Sequence, residues 1–344
     1  MSGRDAPSAG RWYIATATGK KPACWSHAAL VFRCLRPDKP EGPDKPDRNA
    51  LHSLYNRPAL LLSLTALFWA GNFVVGRAVA LSIPPATLAC LRWMLAFLIL
   101  LPFAWSYLRR EMPVAMRHWK MIVLLGLLGP ASFNTLAYAG LAHTDALNGL
   151  VVNAAGPMFI AAAAFLIFGD RLTVYQFAGL ILGLMGVLLV LTHGEPHQLA
   201  ELRLNIGDLF LLGAISVWGI YTAFLRERPA LSWQSFCALT FGVGGLANIP
   251  LAAMEHAAGR SFVFDAPNLA AVGYVAIFPS LIAYIFYNRG VELIGAARAG
   301  MYLFLIPAFG AILAMVFLGE ELRLFHLVAV MLIIGGVRIG TQSA

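Results

Sequence analysis

GPMFIAAAAFLIFGDRL at residues 156–172 and IPAFGAILAMVFLGEEL at residues 306–322 are two versions of one apolar segment. At an offset of 150 residues the segments share a proline, a phenylalanine, a glycine, an acid and a leucine: Pro157 and Pro307, Phe159 and Phe309, Gly169 and Gly319, Asp170 and Glu320, Leu172 and Leu322. At an offset of 149 the similarity extends upstream, through Trp69 and Trp218, Pro130 and Pro279, and Tyr138 and Tyr287. The chain therefore contains an internal duplication.

Composition places the duplicated region in a membrane. Of the 344 residues, 59% are hydrophobic and 12% are charged, against about 25% charged in a soluble domain. Residues 1–57 hold 15 of the 42 charged side chains, so the other 287 residues hold only 27. This balance excludes an ordinary soluble domain, a disordered chain and a disulfide framework.

Apolar runs of about 20 residues, the length that a transmembrane helix needs, fill the chain from Pro58 onward. The sequence has ten of them: 58–80, 86–107, 119–140, 145–168, 174–192, 207–225, 233–254, 268–290, 296–318 and 324–341. The predicted fold is therefore an all-α polytopic membrane protein with ten transmembrane helices. Residues 1–57, which include the run PDKPEGPDKPDRN, are predicted to form a disordered cytoplasmic tail.

The duplication divides the ten runs into two sets of five, at residues 58–192 and 207–341. Because five is odd, the second copy must enter the membrane in the opposite sense, which predicts an inverted-topology repeat. With a cytoplasmic N-terminus, the inside loops hold eight Lys and Arg residues and the outside loops hold three. This bias favours cytoplasmic location of both termini in the cell membrane. The basic residues serve orientation in this interpretation, and no nucleic-acid partner is expected.

Several short motifs resemble the EamA domain of the drug/metabolite transporter superfamily. The motifs are Trp69-Ala70-Gly71-Asn72-Phe73, Leu91-Arg92-Trp93, and the two proline helices that end in Gly169-Asp170-Arg171-Leu172 and Gly319-Glu320-Glu321-Leu322. The resemblance covers about residues 58–340 in two copies, and Asp170 departs from the more usual Glu of the first copy. It implies ten helices, cytoplasmic termini, and export of amino acids or other small metabolites.

Polar and aromatic residues inside apolar runs are the candidates for a substrate site, because buried polar groups are costly in hydrocarbon. They are Trp69, Asn72, Arg92, Asn134, Tyr138, Asn153, Trp218, Tyr221, Tyr284 and Tyr287. The aromatic and amide groups could line a cavity or could pack helices together. Arg92 could pair with a substrate carboxylate, cap helix carbonyls or extend to the interface. Pro157 and Pro307 are candidate hinges or fixed bends.

The predicted function is that of a secondary transporter of amino-acid-like or drug-like solutes, working by alternating access and expected to export. All twelve acids after residue 57 lie near the ends of apolar runs, so we expect no proton relay at mid-membrane. No motif indicates an enzyme, a metal site or a cofactor. A receptor, a structural protein or a channel is the alternative. Gly179-x-x-x-Gly183 and Gly336-x-x-x-Gly340 predict a close helix contact within one chain or in a homodimer.

Overall fold

The computed structural model describes residues 54–79, 82–141, 143–144, 152–201, 205–318 and 324–342. Every regular element in these ranges is a helix. The predicted tail lies outside the described residues except for 54–57, and so do residues 145–151 of the fourth apolar run.

The helices of the two copies correspond in order. The first copy has α1 (Pro58–Ala78), α2 (Pro85–Arg117), α3 (Trp119–Gly126, Leu127–Phe133 and Asn134–Leu141), α4 (Gly156–Phe168) and α5 (Val174–Leu191). The second has α6 (Ile206–Phe224), α7 (Trp233–Ala257), α8 (Ala266–Val275, Ala276–Ile282 and Ala283–Ile294), α9 (Ala296–Met301, Tyr302–Phe304 and Leu305–Leu318) and α10 (Leu324–Gly340).

Eight of these helices are long and apolar enough to cross a membrane, within the ranges described. The other two, α4 and α10, are apolar but shorter, with 13 and 17 residues. The chain is thus a multi-pass membrane protein. One predicted boundary is wrong: α2 has 33 residues and continues past residue 107 to Arg117. The charges at Arg109 and Arg110 end the apolar run, but charged residues do not end a helix.

Glycine and polar caps explain where several helices begin and end. Gly169, from the duplicated motif, ends α4 with a φ of 74°, a left-handed conformation that glycine adopts without strain. Thr173 and Gln176 form a capping box at the start of α5. Asn205 and Asp208 do the same for α6. These caps satisfy backbone N–H groups that the first turn of a helix leaves unpaired.

The middle of α3 and the middle of α8 are π-helical. The two π-helical segments, Leu127–Phe133 and Ala276–Ile282, are seven residues long and occupy equivalent positions at the offset of 149. Each contains a proline, Pro130 or Pro279, which lacks an N–H and cannot join the α-helical ladder. A π-helical turn accommodates that break and leaves carbonyl groups free for other partners.

Equivalent helices of the two copies pack against each other in opposite directions. Glu111, near the end of α2, accepts a hydrogen bond from the backbone N–H of Ser232 at the start of α7. Glu255, near the end of α7, accepts from the backbone N–H groups of Ala86 and Thr87 at the start of α2. The α2 and α7 helices are therefore antiparallel and tied at both ends.

The α5 and α10 helices form a second antiparallel pair. A Cβ atom on Gly179 would lie 2.6 Å from the carbonyl oxygen of Gly336 and 2.6 Å from the Cα of Gly340. At the other end of the pair, Gly194 faces Phe325. The GxxxG motifs thus pack within one chain, so they no longer argue for a homodimer, which stays a prediction. The remaining packing is reciprocal as well: α1 packs on α8 and α9, and α6 packs on α3 and α4.

Candidate functional site

A small cavity lies at the centre of the bundle, between the two copies. Its volume is about 40 Å³, which is enough to hold water but not a whole organic solute. Seven of the ten predicted site residues line it: Trp69, Asn72, Arg92, Asn134, Asn153, Trp218 and Tyr284. The rest of the lining is largely apolar and was not singled out from the sequence: Phe73, Phe133, Gly156, Ile215, Leu303 and Ile306.

A cluster of aromatic rings lies on one side of the cavity, and Trp69 and Trp218 from this cluster line it. The rings of Trp69 and Trp218, at equivalent positions of the two copies, meet edge to face with centroids 5.1 Å apart. Tyr287 lies 5.1 Å from each of them. The indole N–H of Trp69 donates to the carbonyl oxygen of Pro279 at 2.9 Å. The π-helical segment of the second copy therefore fixes the orientation of an aromatic ring from the first.

Arg92 crosses the centre of the site. The residue is 1% exposed, and its side chain is held by neutral groups. Nε donates to the hydroxyl of Ser280 at 2.7 Å, and Nη1 donates to Asn134 at 2.9 Å and to Tyr138 at 2.8 Å. Of the roles considered for Arg92, capping of carbonyls and extension to the interface are both wrong, because its partners are buried side chains.

Three predicted residues do not line the cavity. Tyr138 lies behind Arg92 and bonds to it. Tyr221 and Tyr287 are 0% exposed and close the space on the far side of Trp218. Their hydroxyl groups are bonded to Asn288 and Thr222, at 2.8 Å and 3.1 Å. These tyrosines pack the site and do not face its space in this conformation.

Some buried polar atoms at the site lack a partner. The Nδ2 group of Asn134 and the hydroxyl of Tyr284 make no hydrogen bond of good geometry within the ranges described, although the two residues are 4% and 2% exposed. A buried polar group without a partner is costly, so such groups indicate a position for water or a ligand.

The candidate hinges lie at helix discontinuities. Pro157 is in the first turn of α4, which begins after a turn at Ala155. Pro307 is the third residue of the α-helix Leu305–Leu318, directly after the 3₁₀ turn Tyr302–Phe304. Both prolines therefore follow a break in a helix that contributes to the cavity lining.

Ion pairs cluster at one end of the bundle. Glu292 at the end of α8 pairs with Arg228 and with Arg289, each at 2.8 Å. Arg289 also donates to Asn56 and lies 5.2 Å from the ring of Tyr55, just before α1. Burial raises the pKa of the Tyr55 hydroxyl. This network joins α1, α8 and the connection between α6 and α7, and we call it the Glu292 network.

The site has the features of a membrane carrier: a bundle of apolar helices, a duplicated unit, and a central polar group in an aromatic cavity. A model of the EamA-like transporter family matches residues 56–192 and again residues 205–340. The chain belongs to the EamA-like transporter family.

Relatives and a solved structure agree with this assignment. The uncharacterized transporter YyaM of Bacillus subtilis is 26% identical over 219 residues, which are 62% of this chain and 70% of the relative. A probable amino-acid metabolite efflux pump of Salmonella typhimurium is 25% identical over 297 residues, 82% of this chain and 94% of the relative. One crystal structure, 19% identical, has a TM-score of 0.66 over 82% of this chain and 95% of that chain, and shows the same fold.

Proposed function

We propose that this protein is a secondary transporter that exports small organic solutes across the cell membrane by alternating access. The observation that carries the proposal is the antiparallel packing of equivalent helices around one cavity lined by both copies. A structure made of two similar units in opposite senses has two conformations of similar energy, in which the units exchange roles. A site between the units then faces each side of the membrane in turn.

The same packing supports two inverted five-helix repeats, at residues 58–192 and 207–341. If α4 and α10 also cross the membrane, each copy has five spans and both termini are cytoplasmic. The predicted fourth run begins at residue 145, so residues 145–151 of it lie outside the described ranges, as do residues 319–323 before α10. The name of the Salmonella relative supports export and an amino-acid-like substrate.

The conformation corresponds to a state closed toward the cytoplasm. In the proposed orientation, the start of α1 and the end of α8 are cytoplasmic, so the Glu292 network lies on that side. The buried rings of Tyr221 and Tyr287 fill the space between this network and the cavity. The cavity itself lies on the outer side of Trp69 and Trp218, since Phe73 follows Trp69 along α1 and Ile215 precedes Trp218 along α6.

We assign Trp69, Trp218 and Tyr284 as the aromatic platform, and Asn72, Arg92, Asn134 and Asn153 as the polar contacts. Tyr138, Tyr221 and Tyr287 support them. Pro157 and Pro307 are the proposed hinges. With a volume of about 40 Å³, the cavity admits one functional group of a solute, and movement at the hinges would enlarge it. Among the described residues that line the cavity there is no acid, which favours uniport or exchange over coupling to protons.

Reconstitution of the purified protein in liposomes tests the proposal. A panel of labelled amino acids, aromatic acids and hydrophobic drugs is loaded, and the efflux rate is measured against concentration. We expect saturable efflux of at least one solute, which Trp69→Ala reduces at least tenfold. Trp119→Ala, which removes an exposed tryptophan, serves as the control and should leave efflux unchanged. Non-saturable flux with ohmic current would indicate a channel, and the absence of any flux would contradict the proposal.

A further inference from the structure

Arg92 is a buried cation without a counter-charge. Within the described residues, arginines 226, 228, 260 and 289 each have a carboxylate within 4.0 Å. Arg92 has none, although it is 1% exposed. A buried charge without a partner is strongly unfavourable, and neutral hydrogen-bond acceptors compensate for it only in part. The site therefore favours the binding of a negatively charged ligand.

The unused donors of the site converge on the same cavity. The hydrogen bonds of Arg92 involve Nε and Nη1, and Nη2 has no hydrogen bond to any described residue. The side chains of Asn134 and Tyr284 lie against each other, but neither the Nδ2 group nor the hydroxyl makes a hydrogen bond of good geometry to a described residue, so each can donate to a ligand. All three residues line the cavity. The set offers several donors and one positive charge.

We propose that the central cavity binds the carboxylate of an organic monoanion, with Arg92 as its anchor. This inference rests on the proposed function and names the substrate class of the same site. The carboxylate accepts from Nη2 of Arg92 and from Asn134 or Tyr284, which gives charge-assisted bonds in an environment of low dielectric constant. When the cavity enlarges around the solute, the apolar part of the solute lies against Phe73, Phe133, Ile215 and Leu303.

The charged groups that line the cavity favour one class of ligand over others. A cation would meet Arg92 with no acid to offset the repulsion. A phosphate dianion would bring two charges to a single arginine. A carboxylate has one charge and a planar pair of oxygens, which suits one guanidinium.

Matched acid and amide ligands test the inference on the intact, purified protein. The pairs are phenylacetate and phenylacetamide, indole-3-acetate and indole-3-acetamide, and hexanoate and hexanamide. Binding is measured by isothermal titration calorimetry in detergent micelles. We expect at least one acid to bind at least tenfold more tightly than its amide, since hydrogen bonds between charged groups are stronger than those to a neutral amide. Absence of any acid-over-amide preference across the panel overturns the inference.

Substitutions test whether Arg92 causes the preference for acids over amides. Arg92→Gln should reduce it to less than twofold, whereas Arg110→Gln, which removes an exposed arginine from the same helix, should leave it intact. If Arg92→Gln does not elute as a monodisperse species, Ser280→Ala replaces it, because it keeps the guanidinium of Arg92 and removes the acceptor of Nε, together with the bond of the Ser280 hydroxyl to the carbonyl of Val275. We then expect the preference to fall by a factor of two to five. A preference unchanged in the well-folded variant overturns the assignment of Arg92.

The outcomes separate this inference from the proposed function. Saturable efflux of neutral solutes, without an acid preference, would reject the carboxylate site and leave the transporter intact. Selective binding of acids through Arg92, without flux of any solute, would reject the transporter and leave the site intact.

Discussion

The indole nitrogen of Trp69 and the carbonyl oxygen of Pro279 are 2.9 Å apart, and this hydrogen bond joins the two copies at the centre of the molecule. The carbonyl belongs to the π-helical segment of α8, where the proline disturbs the regular helical bonding. Through this bond, the π-helical segment of the second copy fixes the orientation of the Trp69 ring of the first copy. Residues 278–280 hold both this ring and, through Ser280, the guanidinium of Arg92.

Removal of the hydrogen bond between Trp69 and Pro279 should destabilise the site while an aromatic ring remains in it. Trp69→Phe retains an aromatic ring but leaves the carbonyl of Pro279 without a partner, which should cost about 1–3 kcal/mol of stability. We expect a lower melting temperature and a higher KM for efflux, measured by scanning fluorimetry and in liposomes. Trp119→Phe is the control at an exposed position. A Trp69→Phe variant with the melting temperature of the wild type would show that the bond carries little energy.

The contact between α5 and α10 depends on the absence of a side chain at Gly336. A Cβ atom there would lie 2.6 Å from the backbone nitrogen of Gly183, whereas a Cβ on the adjacent Gly335 would meet nothing within 4 Å. Gly336→Ala should therefore destabilise the protein by about 1–3 kcal/mol. Gly335→Ala should be neutral or slightly stabilising, because alanine favours a helix. Thermal unfolding in detergent measures both variants, and equal melting temperatures would contradict the packing.

The Glu292 network should hold the cytoplasmic side closed. Glu292→Gln removes both ion pairs to Arg228 and Arg289, so the equilibrium should shift toward a state open on that side. Cys237, which is 1% exposed near the start of α7, is a native reporter once the other three cysteines are replaced by serine. We expect a several-fold faster reaction with maleimide. Glu195→Gln, in an exposed connection, is the control, and equal rates in all three proteins would exclude a gating role.

Export of a monoanion without a proton should respond to membrane potential. The described lining of the cavity contains one cation and no acid, so no proton accompanies the solute and each uniport cycle moves one negative charge across the membrane. A potential of 100 mV changes the free energy of one transferred charge by about 2.3 kcal/mol, so a negative interior should drive the anion outward. Efflux of an accepted acid from liposomes should accelerate when valinomycin and a potassium gradient make the interior negative. An unchanged rate would indicate neutral transport.

The duplication and the class of protein could be predicted from the sequence because both depend on the pattern of many residues. The apolar runs required a membrane, and the offsets of 149 and 150 residues paired Trp69 with Trp218 before any contact was known. The polar candidates for the substrate site could be chosen because burial of a polar side chain in hydrocarbon is costly. Arg92, Asn72 and Asn134 were identifiable because few polar side chains occur in those runs.

Other features depended on geometry that the sequence does not express locally. Pro130 and Pro279 were recognised as equivalent, but their π-helical segments follow from how neighbouring helices pack around them. Ser280 resembles any small polar residue in an apolar helix, and only the structure places it beside Arg92. Tyr221 and Tyr287 resemble Tyr284 in sequence, yet they pack behind the cavity because each lies about one turn further along its helix, past Trp218 on α6 and past Tyr284 on α8.

The orientation of the two copies is the central claim, and a labelling experiment tests it most directly. Single cysteines replace Met112, at the end of α2, and His197, between α5 and α6, in a protein without its native cysteines; both positions are exposed. A membrane-impermeant maleimide is applied to intact cells and to inverted vesicles. The account predicts labelling of the residue 197 cysteine only from outside and of the residue 112 cysteine only from the cytoplasmic side. Labelling of both positions from the same side would contradict the inverted arrangement.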